Sequence, residues 1–148
     1  MKIMQKAGLV IAALATAAGT AVLTAPTASA ADGNVYAFDG GDFDGAYCAW
    51  DGADGDWSTC SADGVNRNLL NRASSLWNNG FPGGNDDVNF YYDQNQQGAW
   101  ACLGNGDSWA DLASGTRIFS WGPGQRGYWT NINDNIASHK WVGFCGQA

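Results

Sequence analysis

Asn71-Arg72-Ala73-Ser74-Ser75-Leu76-Trp77 and Asn135-Ile136-Ala137-Ser138-His139-Lys140-Trp141 stand 64 residues apart and share Asn, Ala, Ser and Trp at matching positions. Each is preceded by a second echo. Cys48-Ala49-Trp50-Asp51, then Gly55-Asp56-Trp57 and Cys60, matches Phe90-Tyr91-Tyr92-Asp93, then Gly98-Ala99-Trp100 and Cys102. A long unit that occurs twice indicates two related supersecondary units sharing one core, because a solenoid needs at least three shorter copies.

Outward from the repeats, short aromatic and β-branched runs alternate with turn signals such as Asn79-Gly80 and Asn105-Gly106. That alternation predicts strands at Val35–Phe38, Tyr47–Trp50, Asp56–Cys60, Ser74–Trp77, Val88–Tyr92, Ala99–Leu103, Arg117–Trp121 and Lys140–Phe144. No long helical pattern follows residue 31, so the class is all-β.

The N-terminus reads differently. Lys2 and Lys6, an apolar run from Ala7 to about Leu23, and Ala28-Ser29-Ala30 fit an export signal over residues 1–30, too short and wrongly flanked for a membrane anchor. Its removal leaves 118 residues, the length of one soluble, secreted domain. All 14 acidic residues are Asp and lie in this part, against Arg67, Arg72, Arg117, Arg126 and Lys140. So negative a surface argues against nucleic acid or an anionic membrane as partner, since both are bound through Lys and Arg. There is no Glu, and His139 is the only histidine. Asp42-Phe43-Asp44-Gly45 and the run Asp51 to Asp56 therefore do not read as EF-hands, which close on a bidentate Glu, and a His-based catalytic zinc site is disfavoured.

Cys48, Cys60, Cys102 and Cys145 all lie in the secreted part. Four cysteines allow three pairings, and an oxidising compartment favours two disulfides over a metal site, whose Cys-x-x-Cys spacing is missing. If each half staples itself, the pairs are Cys48–Cys60 and Cys102–Cys145.

An aromatic residue, a Gly-x-Trp hairpin, then Asn-x-x-Ser-Ser and an apolar strand together resemble a βγ-crystallin Greek-key motif. Asn71 to Asn78 in particular is similar to the secreted bacterial βγ-crystallin-like peptidase inhibitors, a family that includes an actinomycete metalloproteinase inhibitor. The resemblance runs from about Tyr47 to Cys145 and is thinnest between Gly104 and Thr130. It implies a Greek-key sandwich of two motifs, at about residues 45–80 and 87–146, with an extended insertion in the second. It also implies a monomeric inhibitor of an extracellular peptidase, a metalloproteinase first, with no required cofactor and a rigid, disulfide-braced loop. A thermolysin-like target would want a bulky apolar residue after the presented bond. Cys102-Leu103 offers one at a braced strand end and is preferred; Gly80-Phe81-Pro82 offers another between the motifs.

βγ-crystallin motifs often bind calcium through Asn/Asp-Asn/Asp-x-x-Ser/Thr-Ser, which would assign Arg72 with Ser74, and Ile136 with Ser138. Leu70 and His139 depart from that pattern, one position per site, and calcium wants six to eight oxygens. Capping of the turn by Ser is the competing role. A calcium-associated structural or antimicrobial protein is thus the second functional reading.

The third is a carbohydrate-binding module. Trp57 and Trp100, and Trp77 and Trp141, hold matching positions and are expected in the core. Trp109, Trp121 and Trp129 have no counterpart in the first half and are the candidates for an exposed binding surface. The longer second half, whose surplus lies at about 104–130, is either this binding element or a hairpin that completes the core. An enzyme is disfavoured, since His139 falls at a crystallin turn position and no Gly-x-Ser-x-Gly elbow occurs.

Overall fold

The computed structural model describes residues 30–148, so all but the last residue of the expected export signal lies outside it. Nine strands form among the described residues: β1 (Asn34–Phe38), β2 (Tyr47–Trp50), β3 (Cys60–Ala62), β4 (Val65–Arg67), β5 (Ser75–Asn79), β6 (Asp87–Asp93), β7 (Gln97–Leu103), β8 (Ser108–Trp109) and β9 (Ser138–Val142). The sheets are β2-β1-β5-β8, β7-β6-β9 and the hairpin β3-β4, with every pairing antiparallel. No described residue is helical.

The two larger sheets exchange edges. β8 comes from the second half yet pairs with β5 in the first sheet, while Asp54 of the first half bridges His139 on β9. This reciprocal crossing is what makes the fold a Greek-key sandwich of two motifs rather than two separate hairpins. β1, ahead of the expected start of motif one at about residue 45, sits at the centre of the first sheet between β2 and β5.

The structural repeat is in a different register from the one the sequence suggests. In the first motif the hairpin after β1 turns through Asp42 and Phe43, both left-handed (φ 55° and 61°), to Gly45 (φ 83°). In the second it turns through Asn95 and Gln96 (φ 57° and 56°) to Gly98 (φ 78°). A Cβ at Gly45 would collide with the Asp39 carboxylate, so glycine is required there on both conformational and steric grounds. A buried serine clamps each hairpin. Ser75 Oγ donates to the Gly40 carbonyl (2.7 Å) and accepts from the Phe43 N–H (3.0 Å). Ser138 Oγ donates to the Asp93 carbonyl (2.6 Å) and accepts from the Gln96 N–H (3.0 Å). Ser138 is therefore the counterpart of Ser75, and Ala137 of Ser74.

Two expected strands are corrected. Of the strand expected at Asp56–Cys60 only Cys60 joins a strand, and residues 56–59 form a turn, because Asp54 Oδ1 captures the Asp56 N–H and Asp56 Oδ1 captures the Ser58 N–H, the local bonding that diverts Asp from strands. Arg117–Trp121 makes only isolated bridges, Ile118 to Asn131 and Trp121 to Trp100. Its return segment is broken by Gly122, Gly124, Gly127 and a left-handed Trp129. The strand expected at Lys140–Phe144 lies earlier, at Ser138–Val142.

The core lies between the sheets, where period-two alternation sends Val35, Ala37, Leu76, Val88, Phe90, Ala101 and Leu103 inward. Leu112 and Phe119 from the insertion are fully buried beside them, so this stretch completes the core. The disulfides are Cys48–Cys60 and Cys102–Cys145, one per motif, each contributing about 2–4 kcal/mol by restricting the unfolded chain. Of the four tryptophans expected in the core, only Trp57 is fully enclosed; Trp77, Trp100 and Trp141 are half-buried.

His139 joins the motifs. Its ring is fully buried, with Trp50 and Trp57 at centroid distances of 4.9 and 5.6 Å. Trp57 Nε1–H donates to Nδ1 (2.9 Å), and Nε2–H donates to the Gly52 carbonyl (2.9 Å), an arrangement that needs the neutral ring. Burial pushes its pKa from 6.5 down to about 4, against the opposing pull of the Gly52 carbonyl and the Asp54 carboxylate. The unfolded chain takes up a proton near pH 6.5 while the folded chain resists it until about pH 4. The contribution of His139 is thus whole above pH 6.5 and declines as the pH falls to about 4, by about 3 kcal/mol. The chemical-unfolding midpoint should drop across that window, and the drop should shrink in His139→Gln; parallel profiles for the two proteins would refute this.

Candidate functional site

The segment from Gly80 to Asp86 connects the motifs. Asn78, buried on β5, braces both of its ends: Nδ2 donates to the Asp86 carbonyl (2.8 Å), and Oδ1 accepts the Gly80 N–H (3.0 Å). Asn105 Nδ2 donates to the Gly80 carbonyl (2.9 Å), and the Gly83 N–H donates to Asp86 Oδ2 (2.9 Å). The Trp141 indole lies so close over Gly80 that a Cβ there would stand 2.6 Å from it. Above this fixed base Phe81 is 64% exposed. Pro82 after it restricts Phe81 to extended backbone.

Cys102 and Leu103 behave differently. Alternation along β7 turns Cys102 toward Cys145, half-buried, and Leu103 into the core at 1% exposure. The expectation that Leu103 is presented to a peptidase is therefore corrected: the strand continues one residue too far for its side chain to leave the interior. Asp87 accepts the N–H groups of Cys145 and Asn105 beside this disulfide (2.8 and 2.9 Å) and ties the strand end to the tail.

Two of the three unmatched tryptophans, Trp109 and Trp121, line one cleft. Trp109 on β8 is half-buried with the Arg117 guanidinium 4.8 Å above its ring. It shares a cleft with Ile118 and Trp121. Trp121 is 42% exposed and pairs its backbone with Trp100 in both directions. Trp129 is 66% exposed, in a left-handed conformation, with its ring edge-on to Tyr128.

Sequence reasoning missed a more continuous aromatic group. On the outer face of the first sheet Trp77 stacks on Tyr36 at 5.5 Å, Tyr36 lies 6.3 Å from Phe38 and 6.1 Å from Tyr47, and Phe43 meets Phe38 edge-on at 5.8 Å. The Tyr36 hydroxyl donates to Asp32 and the Tyr47 hydroxyl to Asp63, and both phenols titrate above their usual range. For Tyr36 the pKa is pushed up to about 12, by burial first and then by Asp32. The signal was present in the strict alternation Val35-Tyr36-Ala37-Phe38, in which Val and Ala point inward and the rings outward.

The expected calcium ligands are also repositioned. The Ser138 hydroxyl donates and accepts inside the hairpin clamp, and the Ile136 carbonyl accepts the Asn71 N–H (2.9 Å). In the corrected register Ala137 occupies the place of Ser74, so the second motif has no side-chain oxygen there. In the first motif Arg72 is exposed and pairs with Asp39 (3.5 Å), and Ser74 is half-buried with its carbonyl taken by the Leu112 N–H (3.0 Å). Millimolar calcium is expected to leave the thermal unfolding midpoint unchanged; a rise that Ser74→Ala abolishes would return Ser74 and the Arg72 carbonyl to a ligand role.

Comparison with known proteins accords with this architecture. Residues 24–103 match the model of peptidase inhibitor family I36. A structure reported under "Evolution of the eye lens beta-gamma-crystallin domain fold" is 21% identical, with a TM-score of 0.51 over 76% of this chain and 87% of that one. A βγ-crystallin from an archaeon is 15% identical, with a TM-score of 0.48 over 74% of this chain and 96% of its own. One from Ciona intestinalis is likewise 15% identical with a TM-score of 0.48, over 74% and 99%. No curated protein matches the chain. At 21% identity the first of these structures shows the fold alone, whereas the family model spans more than half of the sequence: the chain belongs to peptidase inhibitor family I36.

Proposed function

We propose that the protein is an exported inhibitor of a metallopeptidase and that it presents Gly80-Phe81-Pro82 to the enzyme. The observation that carries this reading is the 64% exposed Phe81 on a segment braced at both ends by Asn78. A segment already fixed at both ends loses little entropy on docking, so more of the contact energy appears as affinity. A bulky apolar side chain directly after a peptide bond is what a thermolysin-like peptidase selects, and Phe81 follows the Gly80 carbonyl in that way. Asn105 and Asn78 hold the Gly80 side of the segment and Asn78 also holds its Asp86 end, so a cut between Gly80 and Phe81 would leave both pieces tied to the same base. The two disulfides suit an oxidising, extracellular setting.

The arrangement favours binding over catalysis. His139, the sole histidine, uses both ring nitrogens to hold the fold and is enclosed, so it has neither a free nitrogen nor access to a substrate.

The inhibition constant measured against a panel of metallo- and serine peptidases tests the reading. Wild-type protein is expected to inhibit a thermolysin-like metallopeptidase at near-stoichiometric ratio, and Phe81→Asp to weaken that inhibition by roughly thirtyfold or more, the loss typical of an interface anchor. Equal inhibition by Phe81→Asp would remove this loop from the contact. Inhibition confined to serine peptidases would overturn the proposed target class.

A further inference from the structure

The outer faces of the two main sheets occupy corresponding places and meet different fates. On the second sheet the outward residues Asn89, Tyr91 and Trp100 lie beneath the chain's own C-terminal tail and insertion. Asn89 Nδ2 donates to the Gln147 carbonyl (2.7 Å), the Cys102–Cys145 disulfide fastens the tail, and Trp121 pairs with Trp100 and packs near Gly146. Asn89 and Tyr91 are buried as a result. On the first sheet Tyr36, Phe38, Tyr47 and Trp77 are only half-buried, Phe43 is 38% exposed, and an apolar cleft of about 290 Å³ opens between Phe38, Phe43, Trp77 and Ser108.

We propose that this aromatic face is a binding site for a neutral polysaccharide chain, separate from the peptidase-directed loop and able to hold the exported inhibitor on a carbohydrate matrix. The chemistry of the face selects such a ligand in three ways. The outward positions of β1, β2 and β5 carry four rings, Tyr36, Phe38, Tyr47 and Trp77, among the small or polar Asn34, Ala49, Ser75 and Asn79, with no Leu, Ile, Val or Met, so the face offers π surface to the C–H faces of sugar rings. The rim supplies acceptors: Asp32 and Asp63 each hold a tyrosine hydroxyl, and a carboxylate with about four lone-pair sites retains capacity for further hydroxyl donors. The neighbouring cations are already engaged, Arg72 with Asp39 and Arg67 with the Ala62 carbonyl and the Tyr47 ring, so an acidic ligand meets carboxylates without a free counter-charge. The carboxylate-held phenols also fix the rings in orientation before any ligand arrives, which lowers the entropy lost on binding.

Native electrophoresis in gels containing hydroxyethyl cellulose or soluble xylan, together with depletion by insoluble cellulose and chitin, tests the site. Wild-type protein is expected to be retarded or depleted by at least one of these polymers. Trp77→Ala and Phe43→Ala should each weaken retention by roughly tenfold, the size of a lost ring contact. Both variants should keep peptidase inhibition, which reports that they fold, and Phe81→Asp should keep polysaccharide retention. Failure of wild type to bind any of the four polymers, or undiminished retention in Trp77→Ala, overturns the proposal. Loss of peptidase inhibition in a Trp77→Ala protein of normal thermal midpoint would assign the face to the peptidase, and a dimer in sedimentation that Trp77→Ala splits would assign it to a second copy; either result also overturns it. An effect of Phe81→Asp confined to inhibition bears on the inhibitor reading alone.

Discussion

Two buried hydroxyl groups hold the hairpins on which everything else is mounted. Each folded hairpin passes through consecutive left-handed residues, a conformation that costs non-glycine residues energy and persists only when surrounding bonds over-determine it. Ser75 and Ser138 supply those bonds, each accepting an N–H from inside the turn and donating to a carbonyl at its start. Since both serines open the last strand of their motif, the same contact that stabilises the turn also sets the register of β5 and β9 against β1 and β6. The sandwich, its crossed edges and the position of His139 beside Asp54 follow from that register.

On this symmetric frame the two motifs diverge by what covers them. The second has a tail, a disulfide and an insertion laid over its outer sheet face, and the insertion also sends Leu112 and Phe119 into the shared core. The first has a bare outer face whose rings are oriented by Asp32 and Asp63. Between them the Gly80–Asp86 segment is held at its ends by Asn78 and leaves Phe81 outside. A pseudo-symmetric scaffold thus carries two chemically distinct surfaces, one a single apolar residue on a braced loop and the other a group of aromatic rings.

Much of the fold was legible in the linear pattern. β2 occupies its expected bounds, and β1, β5, β6 and β7 differ from theirs by one or two residues, because aromatic and β-branched alternation is a local property. Asp56–Cys60 was misread because aspartate side chains capture backbone N–H groups, a competition that hydropathy does not register. The repeat itself was found in the wrong register, since Trp57 and Trp100 look alike in sequence while one fills the core and the other lies on an outer face. Phe81 was recognised as a candidate, and Leu103 was preferred over it for its neighbouring cysteine; burial decides against Leu103 because it falls on the inward phase of β7.

By itself the sequence determined the all-β class, the two-motif organisation, the acidic and Glu-free character, and the resemblance to secreted peptidase inhibitors. These are properties of composition, period and short motifs, which survive without knowledge of contacts. Only the tertiary structure decided the cysteine pairing, the place of Ser138 in the hairpin clamp, the enclosure of His139, the burial of Leu103 and the assembly of Tyr36, Phe38, Phe43, Tyr47 and Trp77 on one face. Each of these depends on strand order and register, which bring together residues tens of positions apart, and a shift of one residue along a strand exchanges its inner and outer side chains.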